Sequence, residues 1–394
     1  MSSSRTQGAT ALYNGRVVLP ERVADGGAVL VDDGRISAIV DSDAIPDHYE
    51  RIDVGGRWVT PGLVDIHIHG ALSHTFNDGS LAAFAAITQA CAAAGVTSVL
   101  ATTITGPLEQ LVQALVMLQH WATEPRAGAQ LLGAHVEGPY FAPSQAGAQD
   151  PRHLRVPLDG AYERLLAYAE LIRIFTFAPE LPGAGTLTDR LVALQIVPAA
   201  GHSAAREEDV RPLLERGLRH MIHLWSAQST TIREGAWRKP GLLEVSLTYD
   251  NLTAEMIADG KHLPPTLMRL ATKCLGPDRL CLISDATSGA GLPEGSRFVM
   301  GEMEYEVRDG VGMLLDGSAF AGSTTLLNQM VKVVIDQVGL PVEEVVRMAT
   351  LTPARVIGVD DRKGSLAPSK DADIVVFEDN WQPWRVMIAG DWVA

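Results

Sequence analysis

The run VTPGLVDIHIHG, residues 59–70, is the stretch on which the reading of this chain turns. Its apolar residues predict a strand that opens at Gly70 into a loop. Side chains alternate along a strand, so His67 and His69 share a face and two imidazoles converge on one point at the strand's end. That is how a strand presents a metal. Two solvated histidines on an edge strand would give the same local pattern, so the rest of the chain has to decide.

Working outward, seven more apolar runs follow: TSVLATT, LLGAHVEG, IRIFTFAPE, IVPAAGHS, HMIHLW, LTAEMIADG and LCLISDA. Amphipathic stretches with helical spacing lie between them, among them SLAAFAAITQACAAAG and REEDVRPLLERG. Strand then helix, eight times over, predicts an α/β chain with a (β/α)8 TIM barrel over residues 61–363. The first sixty residues differ, with short strands (ALYNGRVVLP, GAVLVDDGRISAIV) broken at D-G and G-R turns. The tail KGSLAPSKDADIVVFEDNWQPWRVMIAGDWVA has the same texture. Residues 1–60 and 364–394 are therefore expected to form one small discontinuous β-sandwich domain built from both chain ends. The hairpin-like segment RFVMGEMEYEVRDGVGMLLDG, residues 297–317, either extends that domain or lies over the barrel mouth.

Composition narrows the function. With 394 residues, 46% hydrophobic and 20% charged, the chain reads as a globular enzyme with a large core. A formal charge of −15 argues against a nucleic-acid partner, which needs a basic face to displace phosphate counterions. No stretch reads as a membrane span, and the start MSSSRTQGATALYNGRVV lacks a basic segment followed by an apolar core, so a cytoplasmic location is expected. Cys91, Cys274 and Cys281 form no C-x-x-C pair and read as core packing.

In a barrel of this kind, chemistry sits at the C-terminal strand ends. His67 and His69 end the first strand, His135 and Glu137 the third, His202 the fifth, His223 the sixth and Asp285 the eighth. Each alone could be a core or capping residue, but their coincidence on one face is a metal-site inventory. Imidazole and carboxylate donors suit zinc, with ferrous iron as the alternative, as one ion or two. Such a metal lowers the pKa of a water toward neutrality, giving a nucleophile for an amide carbonyl. Asp285 is the candidate to take that water's proton and pass it to the leaving amine.

The motifs PGLVDIHIHG, HVEGPY, APE, AGHS, HLWSAQ, ADGKH, LISDAT, AGST, MATLTPAR and GSLAPSKDADIVVF stand in an order and approximate spacing that resembles the amidohydrolase superfamily, and within it the N-acetylglucosamine-6-phosphate deacetylases. The resemblance covers nearly the whole chain. It implies that Glu137, His202 and His223 hold the main metal, that His67 and His69 supply a second position bridged by Glu137, and that Asp285 is the catalytic acid and base. It makes His262 a substrate contact and His135 a supporting residue rather than a ligand. The first lysine of the chain is Lys239, beyond the fourth strand, so a carbamylated-lysine bridge is not expected.

The chain departs from that pattern in the substrate pocket. It has His223-Leu224-Trp225-Ser226-Ala227-Gln228 where these deacetylases read HLFNAM or HLYNAM, and Gln149 where they carry a histidine. Ser226, Ala227 and Gln149 are thus expected to face the substrate. The loop STTIREGAWRKPG offers Arg238, and beside it Arg233, for a phosphate group. If that arginine acts across a subunit boundary, the working unit is a homodimer. The expected substrate is a small N-acetylated amino sugar, with N-acetylglucosamine 6-phosphate foremost and an unphosphorylated acetyl-hexosamine or N-acyl amino acid as the alternative. A non-catalytic metal-binding scaffold is disfavoured, because it would need no proton shuttle.

Overall fold

Eight parallel strands stand in sequential order at the centre of the molecule: Leu63–Ile68, Val96–Thr103, Gln130–Glu137, Ile172–Phe177, Val197–Ala200, His220–Met221, Thr253–Ile257 and Leu280–Ile283. The computed structural model describes residues 8–123 and 127–393. Residues 1–7 of the start that was read for a leader, and residue 394 of the expected end domain, lie outside the described residues. Each barrel strand matches one of the eight apolar runs to within a residue at its start. The run HMIHLW gives the shortest, because the chain turns after Met221 and His223 takes a left-handed φ of 27°.

Between the eighth and first strands the barrel is closed by individual hydrogen bonds. The Asp285 N–H donates to the His67 carbonyl at 2.9 Å, and the buried Asp65 carboxylate accepts from Ser284 N at 3.3 Å and His67 N at 3.2 Å. Helices cover the outside. In Leu81–Ala93, Ala83, Phe84, Ile87 and Cys91 recur at helical spacing and are buried against the strands, and the Ser80 side chain caps the N-terminus by accepting from Ala83 N. Cys91 and Cys281 lie in this core, and all three cysteines are free.

The chain ends meet in a separate eight-stranded sheet. Thr10–Val18, Val23–Asp32, Arg35–Asp41, Glu50–Asp53 and Trp58–Pro61 come from the front; Ile374–Phe377, Pro383–Ile388 and Asp391–Trp392 come from the tail. The two parts join where Ile374–Phe377 runs antiparallel to Trp58–Pro61, and Leu12, Val29, Val59, Ile374 and Val376 share one core cluster. Asp33 and Gly34, both at positive φ, form the tight turn that reverses the second strand into the third. The segment after Gly295 does not join this sheet. Its strands Arg297–Met300, Met303–Arg308, Val311–Leu314 and Phe320–Ser323 form their own antiparallel sheet. This sheet lies at the barrel mouth, where the Tyr305 hydroxyl donates to the Ala148 carbonyl at 2.7 Å and Phe298 packs in one cluster with Ile104. Among the described residues no helix is long and apolar enough to cross a membrane.

Candidate metal and substrate site

Glu137, the last residue of the third barrel strand, is the centre of the site. One of its oxygens, Oε1, lies 3.1 Å from His202 Nε2, 3.2 Å from His223 Nε2 and 3.7 Å from His67 Nε2. The other, Oε2, lies 3.2 Å from His69 Nε2. Asp285 Oδ1 closes the group at 3.2 Å from His69 Nε2 and 3.6 Å from His67 Nε2. Five strand ends thus bring together the six residues expected to serve metal binding and proton transfer. Three of them, His202, His223 and Asp285, sit just past their strands at positive φ, 46°, 27° and 44°. For residues other than glycine this conformation costs about 1–3 kcal/mol each and persists where the surroundings enforce it, as at functional sites.

The hydrogen bonds behind the rings fix which nitrogen faces inward. His202 Nδ1 donates to the Gln145 carbonyl at 2.9 Å and His223 Nδ1 to the Ser226 carbonyl at 3.1 Å. A carbonyl can only accept, so in the neutral rings both Nε2 atoms carry lone pairs, directed at a carboxylate oxygen that also cannot donate. Acceptors crowded in this way call for a cation between them. His67 adds the same signal, since its buried Nε2 has no hydrogen-bond partner. Imidazole nitrogens around a carboxylate, aimed at a common centre, fit a divalent metal.

Charge in the cluster follows from the same contacts. Burial alone would raise the Glu137 carboxyl, but hydrogen bonds with His202 and His223 and the adjacent His67 and His69 rings hold it well below the usual range. For Asp285 burial again opposes, and is outweighed by the His69 hydrogen bond and the His67 charge, so its carboxyl stays below the ordinary value and ionised. Burial pushes His135 down to about 3, reinforced by the His67 charge. His135 is therefore neutral, with both ring nitrogens engaged, by the Ile66 carbonyl at 3.1 Å and the Thr176 hydroxyl at 2.7 Å.

A cavity of about 260 Å³ opens onto this cluster. Gln149, Ser226, Ala227 and His262, the expected substrate contacts, all line it, with Trp225, Met300 and Phe320 as apolar walls. Gln149 has a second task. Its Oε1 accepts from Thr105 N at 2.8 Å, which leaves Nε2 to donate to Glu137 Oε2 at 2.8 Å. Arg233 and Arg238 lie apart from the cavity, paired across an exposed hairpin of Ile232–Glu234 and Trp237–Lys239. None of the described residues lining the cavity is an arginine or lysine.

The amidohydrolase family model matches residues 58–393. The chain is 31% identical over 376 residues to the N-acetylgalactosamine-6-phosphate deacetylase of Escherichia coli O157:H7, covering 95% of this chain and 97% of that one. It is also 31% identical, over 378 residues, to the N-acetylglucosamine-6-phosphate deacetylase of Vibrio furnissii, covering 95% and 92%. The crystal structure of the N-acetylglucosamine-6-phosphate deacetylase from Pasteurella multocida superposes with a TM-score of 0.91 at 29% identity, covering 98% of this chain and 99% of that one. The chain belongs to the amidohydrolase family.

Two groups of this amidohydrolase escaped the strand-end reading. Glu255, fully buried in the seventh barrel strand, accepts from His67 Nδ1 at 2.7 Å and from His220 Nε2 at 3.0 Å. Asp259 accepts from His262 Nδ1 at 2.7 Å and, through its other oxygen, from the N–H groups of Lys261 and His262. The signal for Glu255 was a lone carboxylate inside an apolar strand, a position where a charge needs a partner. For Asp259 it was the three-residue spacing to His262.

Proposed function

We propose that this amidohydrolase removes the acetyl group from an N-acetylated amino sugar 6-phosphate, N-acetylglucosamine 6-phosphate foremost, releasing acetate and the free amine. The observation that carries the reading is the convergence of Glu137, His202, His223, His67 and His69 with an ionised Asp285 at one cavity. Glu137, His202 and His223 would hold the main ion, zinc by the donor set, and His67 and His69 an adjacent one. When bound, a divalent metal supplies Lewis acidity and lowers the pKa of a water toward neutrality.

Asp285 accepts the proton of the attacking water and returns it to the amide nitrogen as the C–N bond breaks. An amine is a poor leaving group unless protonated, so both halves of the transfer fall to one carboxylate. His262, held at Nδ1 by Asp259, has Nε2 left for the substrate. Trp225 and Phe320 offer faces against which a sugar ring can pack. For the phosphate, Arg238 with Arg233 beside it is supplied by a second copy of the chain, which makes the working unit a homodimer. The exposure of the hairpin and of Trp237 supports this source.

An unphosphorylated acetyl-hexosamine or N-acyl amino acid is the second reading, favoured by the lack of an arginine or lysine to meet a phosphate around the cavity within one chain. Acetate release should be measured on N-acetylglucosamine 6-phosphate, N-acetylgalactosamine 6-phosphate, both unphosphorylated sugars and a panel of N-acyl amino acids. The proposal expects the phosphorylated sugars to lead by kcat/KM. Equal turnover of the unphosphorylated sugars, or activity confined to acyl amino acids, would reject it.

A further inference from the structure

Beneath the candidate metal ligands the barrel interior carries a chain of polar groups that the proton transfer does not use. Layers of branched apolar side chains normally fill such interiors. Here Thr253 Oγ1 meets His220 Nδ1 at 2.8 Å, His220 Nε2 donates to Glu255 Oε1 at 3.0 Å, and Glu255 Oε2 accepts from His67 Nδ1 at 2.7 Å. The His223 N–H approaches the same Oε2 at 3.4 Å. Glu255 and His220 are fully buried. Desolvating a carboxylate is costly, and a leucine-sized apolar side chain would fill the layer without that cost. The charge therefore calls for a use.

We propose that Glu255 is the positioning residue of the His67 metal position. By accepting the Nδ1–H it turns the His67 ring so that Nε2, buried and without a hydrogen-bond partner, faces Glu137 and Asp285. A carboxylate behind a ligating imidazole fixes the ring's orientation and tautomer and raises its basicity. The two histidines of the H-x-H pair differ in this respect, because His69 Nδ1 has no hydrogen-bond partner. His202 and His223 are oriented by backbone carbonyls instead. Of the ligand side chains Glu255 thus orients one, the His67 ring, and through it one of the two ion positions. The inference rests on reading His67 as a metal ligand.

The test is metal content and affinity, measured by elemental analysis and chelator competition on the wild type, Glu255→Gln, His67→Asn and the double variant. Glu255→Gln should weaken the ion that His67→Asn also removes, by about 10–100-fold, and leave the ion held by Glu137, His202 and His223. The double variant should match His67→Asn alone, because Glu255 acts through His67. Wild-type affinity in Glu255→Gln, no effect of His67→Asn on metal content, or losses that multiply in the double variant would overturn the proposal. Should Glu255→Gln not fold, the histidine 15N spectrum of the metal-loaded wild type still decides. The proposal expects His67 protonated at Nδ1 and without a proton at Nε2, and the opposite tautomer rejects it. None of these readouts depends on the substrate, so a failure of the acetate-release assay leaves them standing.

Discussion

At Asp285 the proposed proton transfer and backbone comfort make opposite demands. The residue sits at φ 44°, a conformation aspartate tolerates better than most, and this turn sets its carboxylate 3.2 Å from His69 Nε2 at the cavity wall. Asp285→Asn keeps the size and removes the proposed base. It should lower kcat by about two to four powers of ten while metal content stays near that of the wild type. Loss of the metal together with activity would make Asp285 a ligand first and leave the proton without a carrier. Gln149 makes a different demand, since its amide links Thr105 N to Glu137 Oε2 and is nearly fully buried. Gln149→Ala leaves both partners unpaired, a cost of about 1–3 kcal/mol for each buried group. It should therefore lower both thermal stability and metal affinity. A variant that only raises KM would point to a substrate contact alone.

Among the elements, the eight barrel strands were legible because apolar runs and helical stretches alternate without interruption, and the site was legible because histidines and carboxylates stand where those runs end. Less was legible wherever a contact joins elements distant in sequence. Glu255 and His67 are 188 residues apart, and nothing local to TAEMI tells that its glutamate reaches an imidazole of the first strand. The four-stranded sheet from Arg297 to Ser323 could be recognised as hairpins, yet its seat at the barrel mouth depends on the packing of Phe298 and Tyr305 against Ile104 and Ala148, which no periodicity encodes. The sixth strand shows the same limit, since an apolar HMIHLW run yields two strand residues and then a turn. The arginine hairpin belongs to this scale too. Arg238 is exposed and its guanidinium donates to the Ala236 carbonyl of its own hairpin, so Arg238→Ala should leave the melting temperature unchanged. If it binds phosphate from a second copy, KM for a phosphorylated sugar should rise by roughly one to two powers of ten, the scale of a lost charge-assisted hydrogen bond. An equal rise for the unphosphorylated sugar would exclude a phosphate role.

Across the whole molecule the end sheet and barrel are tied by buried charge. Lys363 donates to Asp373 at 2.5 Å and to Gln130 of the third barrel strand at 2.8 Å, so the tail is anchored to the element that carries Glu137. Stability and metal binding should therefore be read together, and pH separates their contributions. In the metal-free protein His69 is pushed up to about 9: burial works against this, but its hydrogen bonds with Asp285 and Glu137 prevail. His67 is raised as well, with burial opposing and the Glu255 charge and the nearby Glu137 carboxylate outweighing it. A histidine whose folded pKa lies above its unfolded value of about 6.5 stabilises the fold fully below that value and loses this contribution as pH rises through the folded pKa. The melting temperature of the chelator-treated protein should accordingly fall between about pH 6.5 and 9. A metal replaces those protons as the counter-charge to Glu137 and Asp285, so the loaded protein should lose less over the same window. Growing self-repulsion of a chain with a formal charge of −15 also lowers stability at high pH, but it acts on both forms, and their difference isolates the cluster. Thermal melts from pH 6 to 9.5, with and without chelator, provide that difference. Parallel curves would mean that these histidines hold neither protons nor metal in the way the geometry requires.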